Sequence, residues 1–435
     1  MIWNPDAETM PREQLRVVQL ERLRWTVDRL IRHVAPMRSR FLAAGIANAR
    51  DITSLDDLAR LPFSTKADLR EHYPFGLFAA PRSEVVRVHA SSGTRGKPTV
   101  VGYTRNDLEV WAEVVARTLA LAGVRPGMVF HNATGYGLFT GGLGFHMGAE
   151  RMGCTVVPVG GGFSQRQVML LQDLGGQVLK STPSYALNIA ATMEEMGVDP
   201  ASLALEIGLF GAEPWTAEMR PQLERRLGLA AMNDYGLSEI IGPGVSGECI
   251  EARDGLHIHE DHFLPEVIDP VSLAPLPPGR EGELVFTTLT KEALPLVRYR
   301  TGDLSWLIDG ACVCGRTLVR MGPVRGRLDD MLIIRGVNLF PSEVERVLLS
   351  VEGMSPHYQI VVDRPSELDE LTVLCEPAGF GSDTGALARA AADALHQSTG
   401  LHVRVEMLAP GQVPRSEGKA VRVVDRRAHQ GQSVT

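Results

Sequence analysis

Between Arg12 and His33 apolar residues return every third or fourth position, with Leu15, Val18, Leu23, Val27, Leu30 and Ile31 forming one stripe on a surface otherwise rich in Arg and Glu. That spacing predicts an amphipathic helix, whose apolar face can serve an internal contact or a homodimer contact equally well. Further on, short β-like runs at 85–88 and 155–159 alternate with helical stretches at 106–122 and 166–174. The alternation predicts an α/β fold with a largely parallel sheet. Past residue 328 the texture changes. A brief strand over 332–334 precedes a helix opened by Pro341, with Val344, Val347 and Leu348 on one face. β-like runs follow at 358–363 and 371–375, then a helix over 384–397 and a strand over 402–408. The pattern predicts a large N-terminal α/β domain over 1–328 and a small C-terminal α+β domain over 329–435, with a frayed tail from His429.

Composition narrows the class. At 435 residues the chain exceeds the roughly 250–300 at which a single core stops growing, which agrees with two units. With 44% hydrophobic and 22% charged residues, disorder and collagen are excluded. The 44 Lys and Arg against 52 Asp and Glu give a net charge of −8, which argues against a nucleic-acid partner. No apolar run approaches the ~20 residues of a membrane span, and the start lacks the basic and apolar stretches of a secretory signal. A soluble cytoplasmic protein is expected. Five cysteines in this length form no disulfide framework, leaving metal ligands or buried thiols.

The strongest local chemistry is Ser91-Ser92-Gly93-Thr94-Arg95-Gly96-Lys97-Pro98-Thr99, placed after a β-like run. Glycines let backbone N–H groups turn inward, hydroxyls donate, and Arg95 and Lys97 add positive charge, a combination suited to a triphosphate or to a simple polar hairpin turn. Its glycine spacing is not that of a P-loop. Four further motifs follow in order: Asp234-Tyr235-Gly236-Leu237-Ser238-Glu239, then Tyr299-Arg300-Thr301-Gly302-Asp303, then Gly326-Arg327-Leu328-Asp329-Asp330, and Pro414-Arg415-Ser416-Glu417-Gly418-Lys419.

This ordered set resembles the adenylate-forming enzymes, which include acyl-CoA ligases, peptide-synthetase adenylation domains and luciferase, and within them it is most similar to the phenylacetate–CoA ligases. The resemblance runs from about Leu61 to Arg422 and implies ATP, Mg²⁺ and coenzyme A. It implies that Ser91, Ser92, Gly93, Thr94, Gly96 and Lys97 cradle phosphate, and that Glu239 and Ser238 lie at the phosphates, Glu239 holding Mg²⁺ by hard oxygen ligation. Gly211, Ala212, Glu213 and Tyr235 would form the adenine slot, and Asp234 and Gly236 would also lie at the nucleotide. Asp303 would accept from the ribose hydroxyls, with Arg327 beside it. Lys419 would reach the acyl carboxylate and α-phosphate and offset developing charge. Asp329 would be the hinge of the small domain. For the acyl pocket, the glycine-rich stretch 132–144 beside two aromatics gives close backbone approach next to flat apolar walls. Tyr136, Phe139 and Gly141, with Phe210 and Pro243, are the candidates for a small aromatic carboxylic acid. His146, close by, reads as a structural histidine.

Cys312-x-Cys314 in a tight turn can present two thiolates to one ion, and Cys249 and His257 lie upstream across a turn at Asp254-Gly255. Three sulfurs and an imidazole make a closed tetrahedral structural zinc site, with His259 the alternative imidazole because in a strand it shares a face with His257. The expected activity is a ligase that adenylates an aromatic acid, releases pyrophosphate and passes the acyl group to coenzyme A or a carrier-protein thiol. Phenylacetate is the default substrate by resemblance. A substituted benzoate such as hydroxyanthranilate is its rival, and a non-catalytic nucleotide-binding protein the alternative from another class.

Overall fold

The structure is a computed structural model and describes residues 1–91, 97–365, 368–379, 383–415 and 418–427. The tail from His429, expected to fray, lies outside them. The chain divides into two compact units. The first comprises Met1–Ser181, Ala201–Ala212 and Ala230–Pro323; the second comprises Thr182–Pro200, Glu213–Leu229 and Val324–Thr435.

In the first unit the N-terminal helices are α1 (Pro5–Glu8), α2 (Arg12–His33), α3 (Ala35–Ala43) and α4 (Lys66–Glu71). Helix α2 has the bounds expected from its periodicity. Its stripe faces inward: Leu15, Leu23, Val27 and Leu30 are buried, and Gln19 and Thr26 donate to the carbonyls of Glu260 and Thr288 at 3.1 and 3.0 Å. The apolar face is therefore used within the unit.

β1 (Arg87–Ala90) pairs antiparallel with β2 (Val100–Tyr103), one strand on either side of the glycine-rich stretch in sequence. Helix α5 (Arg105–Leu121) follows, opened by a capping box in which Thr104 Oγ1 accepts from Asp107 N at 3.1 Å. Strand β3 (Val129–Asn132), helix α6 (Thr140–Met152), strand β4 (Thr155–Val157), helix α7 (Ser164–Asp173), strand β5 (Val178–Ser181), strand β6 (Ile207–Gly211) and strand β7 (Ala230–Leu237) continue the alternation. β4, β3, β5, β6 and β7 are neighbours in that order and all parallel.

Beyond β7 the same sheet turns antiparallel through β8 (Gly242–Glu248), β9 (Leu256–Ile258), β14 (Arg320–Met321) and β13 (Leu307–Ile308). Among the described residues the sheet has nine strands, so it is parallel over one part rather than largely parallel. The cause is connection length: the four residues between β7 and β8 cannot make the crossover that parallel strands need. Strands β10 (Phe263–Ile268), β11 (Gly282–Thr288) and β12 (Tyr299–Ser305) pair antiparallel in a further sheet.

The second unit holds α8 (Pro183–Glu195), α9 (Arg220–Leu227), the two-residue β15 (Gly326–Arg327), the hairpin β16 (Leu332–Ile334) and β17 (Val337–Leu339), and α10 (Pro341–Ser350). β18 (Met354–Asp363), β19 (Glu370–Pro377), β20 (Arg404–Met407) and β21 (Val423–Asp425) form a mixed sheet, with α11 (Thr384–Thr399) between β19 and β20. Ile334, Leu339, Val344, Leu348, Ile360, Val373 and Leu395 make its core. The unit opens at Val324, close to the expected boundary at Asp329. It also takes in α8 and α9, because Ser184 N donates to Glu213 Oε1 at 2.8 Å and Arg422 reaches both Ser184 Oγ and Glu345. Among the described residues no helix is long and apolar enough to cross a membrane.

Candidate active site

Parallel strands in an open α/β sheet present ligands at their C-terminal ends. Here Asn132 on β3 is in register with Lys180 on β5, Lys180 with Leu209 on β6, and Gly211 with Asp234 on β7. Asn132 Nδ2 donates to Tyr136 Oη and to the Gly142 carbonyl, both at 2.9 Å. Tyr136 Oη lies 3.1 Å from His146 Nδ1, and its ring meets that imidazole edge-on at 5.9 Å. Burial pushes the Tyr136 hydroxyl up to about 12, so it stays a neutral donor. His146 is held by Tyr136 and by Glu150 at 3.0 Å, a structural arrangement. Phe139, at the N-cap of α6, is 49% exposed, and Gly141 beside it leaves open space, whereas Phe210 and Pro243 are fully enclosed.

The same face carries a buried ion pair in which Asp234, expected at the nucleotide, is joined to Lys180, a residue that no motif included. Lys180 Nζ lies 2.5 Å from Asp234 Oδ1 and 4.3 Å from the centre of the Phe145 ring. Burial pulls the Lys180 ammonium below the usual lysine range, against the pull of Asp234. A lysine inside an otherwise apolar parallel strand was the available signal, since such strands are enclosed on both faces.

On the other face of β7, Tyr235 Oη donates to Asp303 Oδ2 at 2.6 Å, joining two motifs that are 68 residues apart. Thr301 Oγ1 accepts from Asp303 N at 3.0 Å, which fixes that loop. Gly211 is sterically required: a Cβ there would lie 2.3 Å from the Asp234 carbonyl oxygen. Ala212 follows in the left-handed region at φ +70°. Gly236 is equally constrained, its Cβ falling 2.1 Å from the Gly242 carbonyl oxygen. Ser238 Oγ meets Thr140 Oγ1 at 2.9 Å, and Glu239, on the tight connection to β8, is buried. A buried carboxylate on a fixed turn suits a hard cation bridged by phosphates.

Of the glycine-rich loop, Ser92, Gly93, Thr94 and Gly96 lie outside the described residues. At its feet Ser91 N donates to the Thr99 carbonyl at 3.0 Å, the buried Ser91 Oγ and Thr99 Oγ1 have no hydrogen-bond partner among the described residues, and Lys97 Nζ stands 5.1 Å over the Tyr73 ring.

The second unit holds the remaining candidates. Glu213 accepts from Ser184 N through one oxygen and from Ala420 N through the other, both at 2.8 Å. Gly418 O accepts from Thr182 Oγ1 at 2.9 Å, so both neighbours of the exposed Lys419 are pinned. Arg327 Nε pairs with Asp329 Oδ1 at 3.0 Å, and Asp329 is exposed.

In the first unit the ligand atoms of Cys249, His257, Cys312 and Cys314 all lie within 4.8 Å of one another. Cys249 and Cys312 sulfurs are 3.6 Å apart, and Cys314 Sγ is 3.5 Å from His257 Nε2. A tetrahedral zinc with Zn–S bonds of about 2.3 Å would set sulfurs about 3.8 Å apart, so these residues fit one ion. The imidazole is that of His257: His259 Nε2 instead contacts Thr118 Oγ1 at 3.1 Å. Burial pushes the Cys249 thiol up to about 12, while at Cys314 that push is outweighed by the contacts with His257 and Arg316, and the thiol falls to about 6.

Comparison with known proteins adds family context to this geometry. Residues 336–427 match the family model described as the AMP-binding enzyme C-terminal domain. The chain is 55% identical to a phenylacetate-coenzyme A ligase of Thermus thermophilus, over 98% of this chain and 100% of that protein. It is 50% identical to a phenylacetate-coenzyme A ligase of Pseudomonas putida, over 97% of this chain and 96% of that one. Among solved structures, 2-hydroxyisobutyryl-CoA ligase in the postadenylation state with R3-HIB-AMP superposes with a TM-score of 0.92 at 30% identity, over 98% of this chain and 93% of that chain.

Proposed function

The chain belongs to the phenylacetate–coenzyme A ligases of the adenylate-forming superfamily, and from that premise we propose that its acid is an arylacetate or a closely related aromatic acid. The enzyme is an AMP-forming acid–thiol ligase. A carboxylate is a poor electrophile, so the acid first attacks the α-phosphorus of ATP and expels pyrophosphate. The resulting mixed anhydride carries AMP as a good leaving group, and the thiol of coenzyme A displaces it.

In this reading Tyr235, Gly211 and Ala212 border the base, Asp303 accepts from the ribose, and the loop at 91–97 receives the phosphates. A magnesium ion held by Glu239 and the phosphates would neutralise charge on the leaving pyrophosphate. Lys419 stabilises the charge that develops during adenylation, and Asp329 serves as the hinge by which residues 329–435 pass from adenylation to thioester formation. Tyr136, Phe139 and Gly141 line the acid site, with Phe210 and Pro243 behind them. Zinc held by Cys249, His257, Cys312 and Cys314 is structural, since four protein ligands leave no open position.

The observation that most directly supports one shared nucleotide site is the 2.6 Å contact between Tyr235 and Asp303, two side chains that neither sequence distance nor strand order would otherwise bring together. ATP–pyrophosphate exchange over a panel of arylacetic, benzoic and anthranilic acids tests the reading. Exchange with arylacetates and AMP release on adding coenzyme A are expected; ADP as the product, or no exchange with any acid, would reject it.

A further inference from the structure

Asp234 was expected at the nucleotide, but its carboxylate is joined to Lys180, and the ligase chemistry described so far gives that pair no task. Both side chains are buried, at 2% and 4% exposure, at the C-terminal ends of β5 and β7. Strand alternation turns Asp234 away from the face on which Tyr235 meets Asp303. It faces instead the side shared by Asn132, Tyr136 and Phe145, which is the acid side of the site. The fold gives no reason for an ion pair here, because replacing a buried pair with apolar residues is often neutral or stabilising. A plain phenyl ring gives none either.

The pair is also incompletely used. One carboxylate oxygen, Oδ1, takes the lysine; the other, Oδ2, accepts no hydrogen bond among the described residues. The ammonium has three N–H donors, and the structure gives it one carboxylate oxygen and the face of the Phe145 ring. What remains is a donor and an acceptor side by side. A group that accepts from Lys180 and donates to Asp234 Oδ2 would complete both, and a phenolic hydroxyl does this with a single atom.

We propose that Lys180 and Asp234 read a hydroxyl on the ring of the aromatic acid, Asp234 contacting it and Lys180 both donating to it and holding the carboxylate in place. The inference rests on the ligase reading above and narrows its substrate to hydroxylated aromatic acids.

The test compares kcat/KM for phenylacetate and its three ring-hydroxylated isomers, with ATP saturating and AMP release as the signal. At least one hydroxylated isomer is expected to exceed phenylacetate by about tenfold or more, since a site built to hydrogen-bond a hydroxyl rejects the analogue lacking it. The charge-neutral double variant Lys180→Met/Asp234→Ala is expected to abolish that preference, read as the ratio of kcat/KM for the favoured hydroxylated isomer to that for phenylacetate falling to one or below. A wild-type enzyme that favours phenylacetate over every isomer overturns the proposal without any variant being made. A double variant that keeps the preference overturns it as well, and leaves the pair structural. Failure of the parent reading looks different: no acid in the panel, hydroxylated or not, would support pyrophosphate exchange, and this inference would fall with it.

Discussion

Lys419 shows how little a single residue's identity says by itself. It is one exposed lysine in a polar turn, and only its place at the end of an ordered series of motifs makes it a catalytic candidate. The structure adds that Gly418 and Ala420 on either side are tied to Thr182 and Glu213, an arrangement no local pattern announces. Lys419→Ala should slow adenylation several hundredfold or more, on the order of 4 kcal/mol, the scale of one preorganised transition-state charge; pyrophosphate exchange measures it, and an unchanged rate removes the residue from the mechanism. His262 gives a prediction of another kind. Burial lowers its pKa to about 4, against the attraction of Asp261 at 3.2 Å. The unfolded chain, titrating near 6.5, binds the proton more readily between those values, so stability rises with pH across that window. The contribution is complete above about pH 6.5 and is lost as the solution is acidified toward pH 4, amounting to about 3 kcal/mol. Thermal unfolding from pH 7 to pH 5 should show about 2 kcal/mol of this loss, and His262→Gln should flatten it.

At the scale of elements, hydrophobic period was a good guide wherever one face of a helix is buried. α2, α5, α7 and α11 fall within two residues of their expected bounds. What period could not give was how α5 and α6 pack. Their approach depends on Gly144 and Gly148, since a Cβ on Gly148 would lie 2.3 Å from Val115 Cγ1 and 2.5 Å from Val115 Cβ. Gly148→Ala gains about 1 kcal/mol of helix propensity but overpacks a β-branched side chain close to its backbone, at a cost of about 1–3 kcal/mol. With Val115 fixed close to its backbone the cost falls at the upper end of that range, and thermal unfolding should show a net loss of up to about 2 kcal/mol. Gly141→Ala, with nothing within 4 Å of the added carbon, should hold or gain stability. The antiparallel half of the main sheet was likewise unread, because strand direction is set by connection length and pairing partner rather than by side-chain alternation.

At the scale of the whole molecule, the most distant parts of the sequence are joined by polar groups inside the first unit. Glu8 and Arg316, both fully buried, pair at 2.5 Å across 308 residues, and Thr317 N donates to the Glu8 carbonyl at 3.0 Å. Glu8→Ala would leave the Arg316 guanidinium buried without its counter-charge and should cost about 3–5 kcal/mol, read as earlier thermal unfolding. The adjoining cysteine turn makes the last prediction. Elemental analysis of protein washed with a weak chelator should find zinc close to one ion per chain, and Cys312→Ser should lose it together with thermal stability; metal-free wild-type protein of unchanged stability would reject the site.

The sequence alone determined the kinds of element present, the order of the motifs and the family they imply, and it singled out three cysteines as candidate metal ligands, because these depend on local periodicity and on residue types at short spacing. Tertiary structure alone decided that Tyr235 meets Asp303, that His257 rather than His259 faces the thiols, that α8 and α9 join the C-terminal unit, and that Lys180 and Asp234 share one buried face. Each of these is a contact between side chains far apart along the chain. Such contacts are fixed by strand register and close packing, which no local pattern encodes.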